Sequence, residues 1–474
     1  MLYAETDRLK IPTPWYIRND VHNVVVYKIP TTEEPVYKVL SPLEASIVPF
    51  FDGKIDIAEI KKIWFKIHDY YVDKKELLQA FHLIVENLLK CGILSKIGNL
   101  TDSLKNLQDG MTPDFADYHY PAKRLERPIS VNIAFTNLCN ANCRYCYAQR
   151  YKCKEVDISC WKLIFDELVA NQVFHTDIGG GDIFCRSDAL DILAEMVIRG
   201  FVFSISTKSY ISPQIAEKLY QLNIGRSDAS MVQVSIDSAD EEVASNLTRC
   251  PEYLKKITQT VKNLINIDVK PRIKCVITGF NVDAPEKLIN YFARLGVTEF
   301  NFVQYGRSYY SHCDDLFIPL KDKDSLRDKF KTFQEEYREL NITYQDSALI
   351  DTSRQMTWEK WKDRSLCAGG RSNMFIQPNG DVTLCEQIPH ASAYVIGNVF
   401  EKRIIEIWKS NELDNFLYPN RNLFINSVCY NCHDFSICHE IKGYCYREAL
   451  FAYGSIYDAP PECPRQDKLP PRNQ

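Results

Sequence analysis

The sequence predicts an α/β protein whose central part is a parallel β-sheet. Six strand-like runs recur between residues 128 and 345, and amphipathic helical stretches separate them. Strands that alternate with helices form right-handed βαβ units, which place the strands parallel in one sheet. The runs lie near Val131, Thr176, Phe203, Val232, Lys274 and Asn301. A smaller α+β segment precedes this part, and a cysteine-rich segment follows it.

Composition and charge exclude several classes of protein. The chain has 474 residues and a net charge of −5, so no excess of positive charge indicates nucleic acid or an anionic membrane. It shows no apolar run long enough for a membrane span and no secretion signal. Its 17 cysteines therefore indicate metal binding rather than disulfides. We expect a cytoplasmic protein.

Residues 1–100 are predicted to form a separate α+β domain. Two short β-branched runs, 23–29 and 35–40, flank a hairpin turn, and three amphipathic helices follow them. Residues 101–127 contain turn formers without a steady period, which predicts a linker.

A hairpin with three helices also suggests a DNA-binding winged helix. The third predicted helix mixes lysines with acidic residues and so has no basic face for phosphates. Its apolar residues recur at spacings that predict one buried face: Leu77, Leu78, Phe81, Ile84, Val85 and Leu88. The order and size resemble the PqqD-like recognition domain fused to peptide-modifying enzymes. That resemblance implies that the leader of a precursor peptide adds as a strand to the hairpin edge and packs against the third helix.

A cysteine loop follows the first strand of the central part. Cys139, Cys143 and Cys146 form a CxxxCxxC pattern directly after the apolar run 129–135. Three thiolates can hold three corners of a [4Fe–4S] cluster and leave one iron open. Zinc is the alternative, but structural zinc takes four ligands and usually shows paired CxxC spacing. With Tyr145 before the last cysteine, the pattern resembles the radical S-adenosylmethionine (SAM) family.

This resemblance implies a partial (β/α)6 barrel over residues 128–345, with a [4Fe–4S] cluster that binds SAM at the carboxyl ends of the strands. After the second strand, Gly180, Gly181 and Asp182 stand in the place of the family's Gly-Gly-Glu-Pro motif. Glycines there let the backbone approach the amine of SAM. The aspartate is one methylene shorter than the usual glutamate. A phosphate-binding loop is the alternative, but no Lys-Ser/Thr pair follows.

The resemblance implies further SAM contacts beside the cysteines and at the ends of the third and fourth strands: Tyr145, Ser206, Thr207, Lys208, Ser235 and Asp237. Those after strand three would flank the methionine moiety, and those after strand four would face the ribose. Arg249 falls where the family often places an arginine for the SAM carboxylate. A surface arginine at a helix start is the alternative there.

Residues 346–474 carry a second ordered set of cysteines: Cys367, Cys385, Cys429, Cys432, Cys438, Cys445 and Cys463. With Gly380 inside the first pair and a CxxC doublet, the set is similar to the SPASM domain of radical SAM enzymes. That similarity implies two auxiliary [4Fe–4S] clusters. Six residues separate Cys438 from Cys445, where three are usual. A zinc ribbon is the alternative for the doublet alone.

By motif position, the SPASM similarity assigns four cysteines to one auxiliary cluster: Cys429, Cys432, Cys438 and Cys463. It assigns Cys367, Cys385 and Cys445 to the other, which is then one thiolate short. Either Cys313 completes this second cluster, or one iron stays open for a thiolate of the substrate.

The order of the three parts resembles the maturases of ribosomally made, post-translationally modified peptides. It implies an oxidoreductase in which a 5′-deoxyadenosyl radical takes a C–H hydrogen from a precursor peptide and a thioether or C–C crosslink forms. Reduced flavodoxin or ferredoxin is the expected electron donor, and neither nucleic acid nor a membrane is an expected partner. Formylglycine formation, peptide epimerisation and a non-enzymatic iron–sulfur regulator with a winged helix are the alternatives.

Overall fold

The structure divides the chain into two units, Met1–Ile129 and Ser130–Gln474. This computed structural model describes residues 2–12, 15–20, 23–28, 36–68, 74–97, 124–149, 155–226, 230–345, 356–364 and 367–467. Most of the predicted linker lies outside the described residues. Within them, no helix is both long and apolar enough to cross a membrane.

The first unit contains a three-stranded antiparallel sheet and three helices. Its elements are β1 (Leu9–Lys10), β2 (Tyr16–Asn19), β3 (Val24–Lys28), β4 (Val36–Leu40), α1 (Pro42–Ile47), α2 (Ile57–His68), α3 (Lys74–Lys90) and β5 (Ser95–Lys96). The sheet order is β2-β3-β4, and β1 pairs with β5 in a separate ribbon. The predicted hairpin is confirmed as β3 and β4, with Val24 opposite Leu40. Since the unpredicted β2 covers the other side of β3, β4 is an edge of this sheet in the described part of the chain.

Local sequence explains where these helices begin and which face they bury. The Ser41 side chain accepts from the backbone N–H of Glu44, whose carboxylate accepts from the N–H of Ser41, so the predicted capping box is present. The buried residues of α3 are Leu77, Phe81, Ile84, Val85 and Leu88. Leu78 was expected on this face but is 38% exposed. It lies about 100° around the helix from Leu77, away from the core.

The second unit is built on a parallel sheet with helices between its strands. The strands are β6 (Ser130–Ala134), β7 (His175–Gly179), β8 (Val202–Thr207), β9 (Met231–Ser235), β10 (Pro271–Ile277), β11 (Glu299–Gln304) and β12 (Asn341–Gln345). The helices are α4 (Ile158–Ala170), α5 (Ala189–Ile198), α6 (Pro213–Gln221), α7 (Glu241–Thr248), α8 (Tyr253–Ile265), α9 (Pro285–Ala293) and α10 (Leu320–Glu336). All neighbouring strands from β6 to β12 pair in parallel. The six predicted strands are therefore confirmed.

The cysteine-rich part of the chain extends the same sheet. Its elements are α11 (Trp358–Asp363), β13 (Asn373–Ile376), β14 (Asp381–Thr383), β15 (Gly397–Asn398), α12 (Ile404–Trp408), α13 (Asn411–Leu417) and α14 (Tyr446–Tyr453). The full order is β12-β11-β10-β9-β8-β7-β6-β13-β14-β15, and β13 runs parallel to β6. The predicted α/β class is confirmed, and the sheet is open among the described residues, as expected for a partial rather than a closed eightfold barrel.

The two faces of the parallel strands differ in polarity. Fully buried apolar residues join the helices in one core: Ile133, Ile205, Val234 and Ile273. Residues that alternate with them are polar and only half-buried: Asn132, Ser204, Ser206, Ser235 and Lys274. Side chains of successive strand residues point to opposite faces. The face opposite the helices is thus polar, and the loops after β6 to β9 meet at one edge of the sheet.

Candidate active site

The cysteine loop follows β6 at the carboxyl edge of the parallel sheet. Cys143 is buried, and Cys139 and Cys146 are half-buried. The pKa of the Cys143 thiol is raised to about 12, mainly because the thiol is buried. The charge of Lys208 lowers this pKa, and negative charge on Cys146 and Cys139 raises it. The three sulfurs therefore lie within electrostatic range of one another and of one lysine.

The backbone of this loop is held by the end of α7. The N–H of Asn142 donates to the carbonyl of Thr248 over 2.9 Å, and the N–H of Arg144 donates to the carbonyl of Leu247 over 2.9 Å. The last carbonyls of a helix have no partner within the helix. Helix α7 thus fixes the loop between its first and last cysteines.

The loop after β7 packs directly on the cysteine loop. Gly181 N–H donates to the Thr136 carbonyl over 2.8 Å, and Asp182 N–H donates to the Leu138 carbonyl over 2.7 Å. Gly180 has a φ of +84°, and a Cβ added to Gly181 would lie 2.1 Å from the Leu138 oxygen. Only glycine allows this approach. These glycines therefore join two loops, a role that the sequence analysis did not assign to them.

Asp182 links this loop to the end of β8. The carboxylate is buried, and one of its oxygens accepts from the Thr207 hydroxyl (2.8 Å) and the N–H groups of Lys208 (2.8 Å) and Ser209 (3.0 Å). Its other oxygen accepts from the N–H of Phe184 over 3.1 Å. Both oxygens are engaged within the chain, so Asp182 positions the residues around it.

Lys208 forms a buried charged network with Asp237 and Tyr145. Its Nζ lies 3.0 Å from the Tyr145 hydroxyl and 3.5 Å from Asp237 Oδ2. The Tyr145 hydroxyl also donates to Asp237. Burial alone would lower the pKa of Lys208, but the charge of Asp237 and nearby phenols raise it well above its usual value. The network therefore keeps a positive charge beside the cysteine loop.

Two hydroxyls remain half-buried at the ends of β8 and β9. Ser206 Oγ and Ser235 Oγ lie 3.3 Å apart, and the Gln233 side-chain amide donates to Ser206 over 3.0 Å. Arg249 is exposed and ends α7 with a φ of 51°. Of the predicted SAM contacts, the structure gathers all but Arg249 into one hydrogen-bonded region.

Four cysteines of the C-terminal part line a single pocket: Cys429, Cys432, Cys438 and Cys463. Burial raises the pKa of Cys429 to about 12, and charge on the other three adds to the rise. Trp361 Nε1 donates to the sulfur of Cys438 over 3.4 Å. This is the first of the two sets that the sequence analysis separated by motif position.

Cys367, Cys385 and Cys445 form another group. Burial raises the pKa of Cys385 to about 12 and raises that of Cys445 further, and charge on Cys367 adds to both shifts. Cys313 instead packs with Leu247, Tyr305 and Leu316.

Comparison with known families agrees with this geometry. A model described as the radical SAM superfamily matches residues 133–295, and one described as an iron–sulfur cluster-binding SPASM domain matches residues 367–433. The chain therefore contains a radical SAM domain and a SPASM domain. A radical SAM domain binds a [4Fe–4S] cluster together with SAM, and a SPASM domain binds auxiliary iron–sulfur clusters.

Several relatives of this radical SAM protein have names that describe peptide maturation. It is 27% identical to the mycofactocin maturase of Mycolicibacterium smegmatis over 357 residues, which are 72% of this chain and 83% of that protein. It is 24% identical to the PqqA peptide cyclase of a Methylobacterium species over 298 residues, 60% of this chain and 74% of that protein.

The fold of this radical SAM protein is similar to that of Streptococcus suis SuiB. The crystal structure of SuiB bound to its precursor peptide SuiA matches with a TM-score of 0.63 at 18% identity, over 97% of this chain and 99% of that chain. SuiB bound to S-adenosylmethionine matches with a TM-score of 0.62 at 19% identity, over the same shares. The match therefore extends over both units of this chain.

The donor set around the cysteine loop fits the groups that the family implies. A bound metal deprotonates a coordinating thiol, so the high pKa of Cys143 in the free chain is no obstacle to binding. The charge of Lys208 nearby favours thiolates over thiols. Hydroxyls and backbone amides at the ends of β7 to β9 suit the polar groups of SAM.

Sequence analysis missed several residues of this radical SAM protein that the structure brings to these sites. Tyr253 donates to the carbonyl of Ser235, and its ring lies 5.7 Å from Lys208 Nζ. Tyr147 donates to Glu386 over 3.1 Å. Each of Tyr147 and Glu386 directly follows a predicted cluster cysteine, which is the one signal that points to them.

Proposed function

We propose that this enzyme uses SAM-derived radicals to form an intramolecular crosslink, a thioether or C–C bond, in a ribosomally made precursor peptide. The observation that carries the proposal is the separation of ten cysteines into groups of three, four and three within the second unit. Relatives named as a peptide cyclase and a mycofactocin maturase support a peptide as substrate.

In this proposal Cys139, Cys143 and Cys146 hold the cluster that binds SAM. When bound, the cluster supplies one electron to SAM and so generates the 5′-deoxyadenosyl radical that abstracts hydrogen. The chain holds SAM with the backbone of Gly180 and the hydroxyls of Ser206 and Ser235. Lys208, Asp237 and Tyr145 form a charged network next to Ser235, and Asp182 fixes Thr207 and Lys208 in place. Arg249 is the candidate for the SAM carboxylate.

The two remaining cysteine groups are proposed to hold auxiliary [4Fe–4S] clusters. Cys429, Cys432, Cys438 and Cys463 close one cluster with four thiolates. Cys367, Cys385 and Cys445 hold the other. Cys313 packs in a different apolar cluster, so an iron of the three-cysteine site stays open for a substrate thiolate.

The first unit is proposed to bind the leader of the precursor peptide. Strand β4 is an edge of the β2-β3-β4 sheet, and its backbone groups can pair with an extended peptide. Helix α3 exposes Leu78 and Leu83, 38% and 61%, as apolar contacts. The helix mixes lysines with acidic residues, so its charges do not favour DNA.

Electron supply and location complete the proposal. The [4Fe–4S] site requires a low-potential donor, for which reduced flavodoxin or ferredoxin is suitable. No disulfide joins two cysteines in the described part of the chain, which fits a reducing compartment such as the cytosol.

The direct test combines reconstituted enzyme with the peptide encoded beside its gene, SAM and a reductant under anaerobic conditions. We expect 5′-deoxyadenosine together with a peptide that has lost two hydrogen atoms, and iodoacetamide labelling will show whether a cysteine was consumed. Unchanged peptide mass with deuterium uptake from solvent would identify epimerisation instead. A lack of 5′-deoxyadenosine from fully clustered, reduced enzyme would contradict the radical mechanism.

A further inference from the structure

The insertion between Cys438 and Cys445 folds as a π-helical turn. Six residues separate these cysteines, three more than the SPASM pattern predicts, and Ile437–Lys442 form the turn. A π-helical turn is rare and often marks a functional site. It carries His439, the residue that follows Cys438, into the pocket of the four cysteines.

His439 is buried without a hydrogen-bond partner. Its side chain is 1% exposed, and neither Nδ1 nor Nε2 has a partner among the described residues. A buried polar group left unsatisfied costs about 1–3 kcal/mol. The chain bears this cost at a residue that lines the pocket, which indicates that a group bound in the pocket provides the missing partner.

Aromatic rings fix the orientation of this histidine. Phe435, Tyr444 and Phe424 have ring centroids 4.3, 4.4 and 4.5 Å from that of His439. Such close packing leaves the imidazole no room to turn toward a distant acceptor. The ring is therefore held in place beside the pocket that it lines.

An imidazole carries at least one N–H donor in either protonation state. It can therefore donate one hydrogen bond into the pocket.

Sulfur is the acceptor that this pocket offers. Besides the four cysteines, the lining is mainly aromatic and aliphatic, with Trp361, Phe435 and Tyr444 among its residues. Trp361 Nε1 already donates to the Cys438 sulfur over 3.4 Å. His439 approaches the same site from the π-helical turn.

We propose that His439 donates its N–H to a sulfur of the auxiliary cluster held by the four cysteines and thereby raises the reduction potential of that cluster. Reduction by one electron adds a negative charge to the cluster, and a hydrogen bond to sulfur stabilises the added charge. Trp361 acts in the same direction. The inference rests on the proposed assignment of an auxiliary cluster to Cys429, Cys432, Cys438 and Cys463.

The test measures midpoint potentials by EPR in anaerobically reconstituted full-length protein. The parent protein for this test has Cys139, Cys143 and Cys146 changed to alanine, so that only the auxiliary clusters contribute to the EPR signal. Into this parent we introduce His439→Phe and His439→Leu, which lack a donor, and His439→Gln, which keeps an N–H. His175→Phe is the matched control, because His175 is buried in β7 and does not line the pocket.

We expect the donor-free variants to keep the parent's iron content and to shift one auxiliary cluster to a more negative potential. The potential of this cluster in His439→Gln should lie between the values in the donor-free variants and in the parent. Trp361→Phe should shift the same cluster in the same direction, and His175→Phe should shift neither auxiliary cluster. An unchanged potential in either iron-replete donor-free variant would overturn the proposal. Loss of iron from both would also overturn it, since His439 would then serve assembly. A parent without auxiliary cluster signals would instead contradict the proposed function.

Discussion

The hydroxyl of Tyr147 donates to Oε2 of Glu386 over 3.1 Å, across 239 residues of sequence. Tyr147 follows Cys146 in the loop after β6, and Glu386 follows Cys385 in the loop after β14. Burial and the Glu386 charge raise the pKa of Tyr147 well above its usual value, so the phenol remains a donor. This bond connects the loop that is proposed to hold the SAM-binding cluster to a loop that is proposed to hold an auxiliary cluster.

Removal of the Tyr147 hydroxyl should loosen this connection. Tyr147→Phe leaves the half-buried carboxylate of Glu386 without this donor, and we expect a loss of about 1–3 kcal/mol in stability. Product formation should fall with it, because the two cysteine loops lose their fixed spacing. Thermal unfolding of the reconstituted enzyme and product yield are the measurements. The control Tyr310→Phe removes an exposed hydroxyl that donates to Gln149, and an equal effect there would refute the interpretation.

The Lys208–Asp237 pair should be strongly coupled. The side chains are 13% and 1% exposed, and Lys208→Met leaves the buried Asp237 charge without its cationic partner, at a cost of about 3–5 kcal/mol. Lys208→Met/Asp237→Asn should recover much of that stability but not SAM affinity, because the charge beside the cysteine loop is missing. Calorimetric unfolding and SAM binding by equilibrium dialysis give the two readouts. Additive effects of the two substitutions on stability would show that the groups are independent.

The sequence was sufficient for features with a local signal. Strand periodicity placed β6 to β11, and cysteine spacing separated the groups that the structure keeps apart. It was insufficient where distant segments meet. Nothing around Asn373–Ile376 indicates that this strand pairs with β6, because parallel pairing is set by packing far along the chain. The hydrogen bonds that occupy Asp182 were hidden for the same reason.

Departures from the family patterns were informative but ambiguous. The longer spacing after Cys438 indicated an insertion without predicting a π-helical turn or the position of His439. The missing fourth thiolate of the second auxiliary group left Cys313 as a candidate. The structure places Cys313 with Tyr305 and Leu316 instead, information that only the path of the loop after β11 provides.

Cys313→Ala should keep the full iron content of the reconstituted protein. Cys313 packs in a small apolar cluster with Leu247, Tyr305 and Leu316. Cys445→Ala, by contrast, should lose up to about four irons, the content of one cluster. Iron and sulfide analysis with the visible absorption spectrum measures both. Equal iron loss in the two variants would make Cys313 a ligand.

Stability should decline in acid because of buried histidines, and His175 is a clear case. Burial lowers its pKa from 6.5 to about 4, so the unfolded chain takes up this proton first as pH falls. The stability that comes from keeping His175 neutral is fully present above pH 6.5. Below that pH the free energy of unfolding should fall by about 1.4 kcal/mol per pH unit, until the pKa of His175 in the folded chain is reached. Chemical unfolding of the cluster-free chain at pH 7.5 and 5.5 should show a smaller decline for His175→Phe. Equal declines in the two proteins would exclude the effect.

Two adjacent proline substitutions in β4 test whether its edge binds the leader peptide. Successive N–H groups of a strand point to opposite sides. Of the N–H groups of Tyr37 and Lys38, one therefore points toward β3 and the other points toward the open edge. Proline is tolerated where the N–H faces outward and disrupts the sheet where it faces a partner strand. One of Tyr37→Pro and Lys38→Pro should therefore lower the unfolding temperature. The other should fold normally and lose affinity for a fluorescent leader peptide, as measured by anisotropy. Full affinity in that folded variant would remove β4 from the binding site, because a peptide paired with this edge needs the N–H that proline lacks.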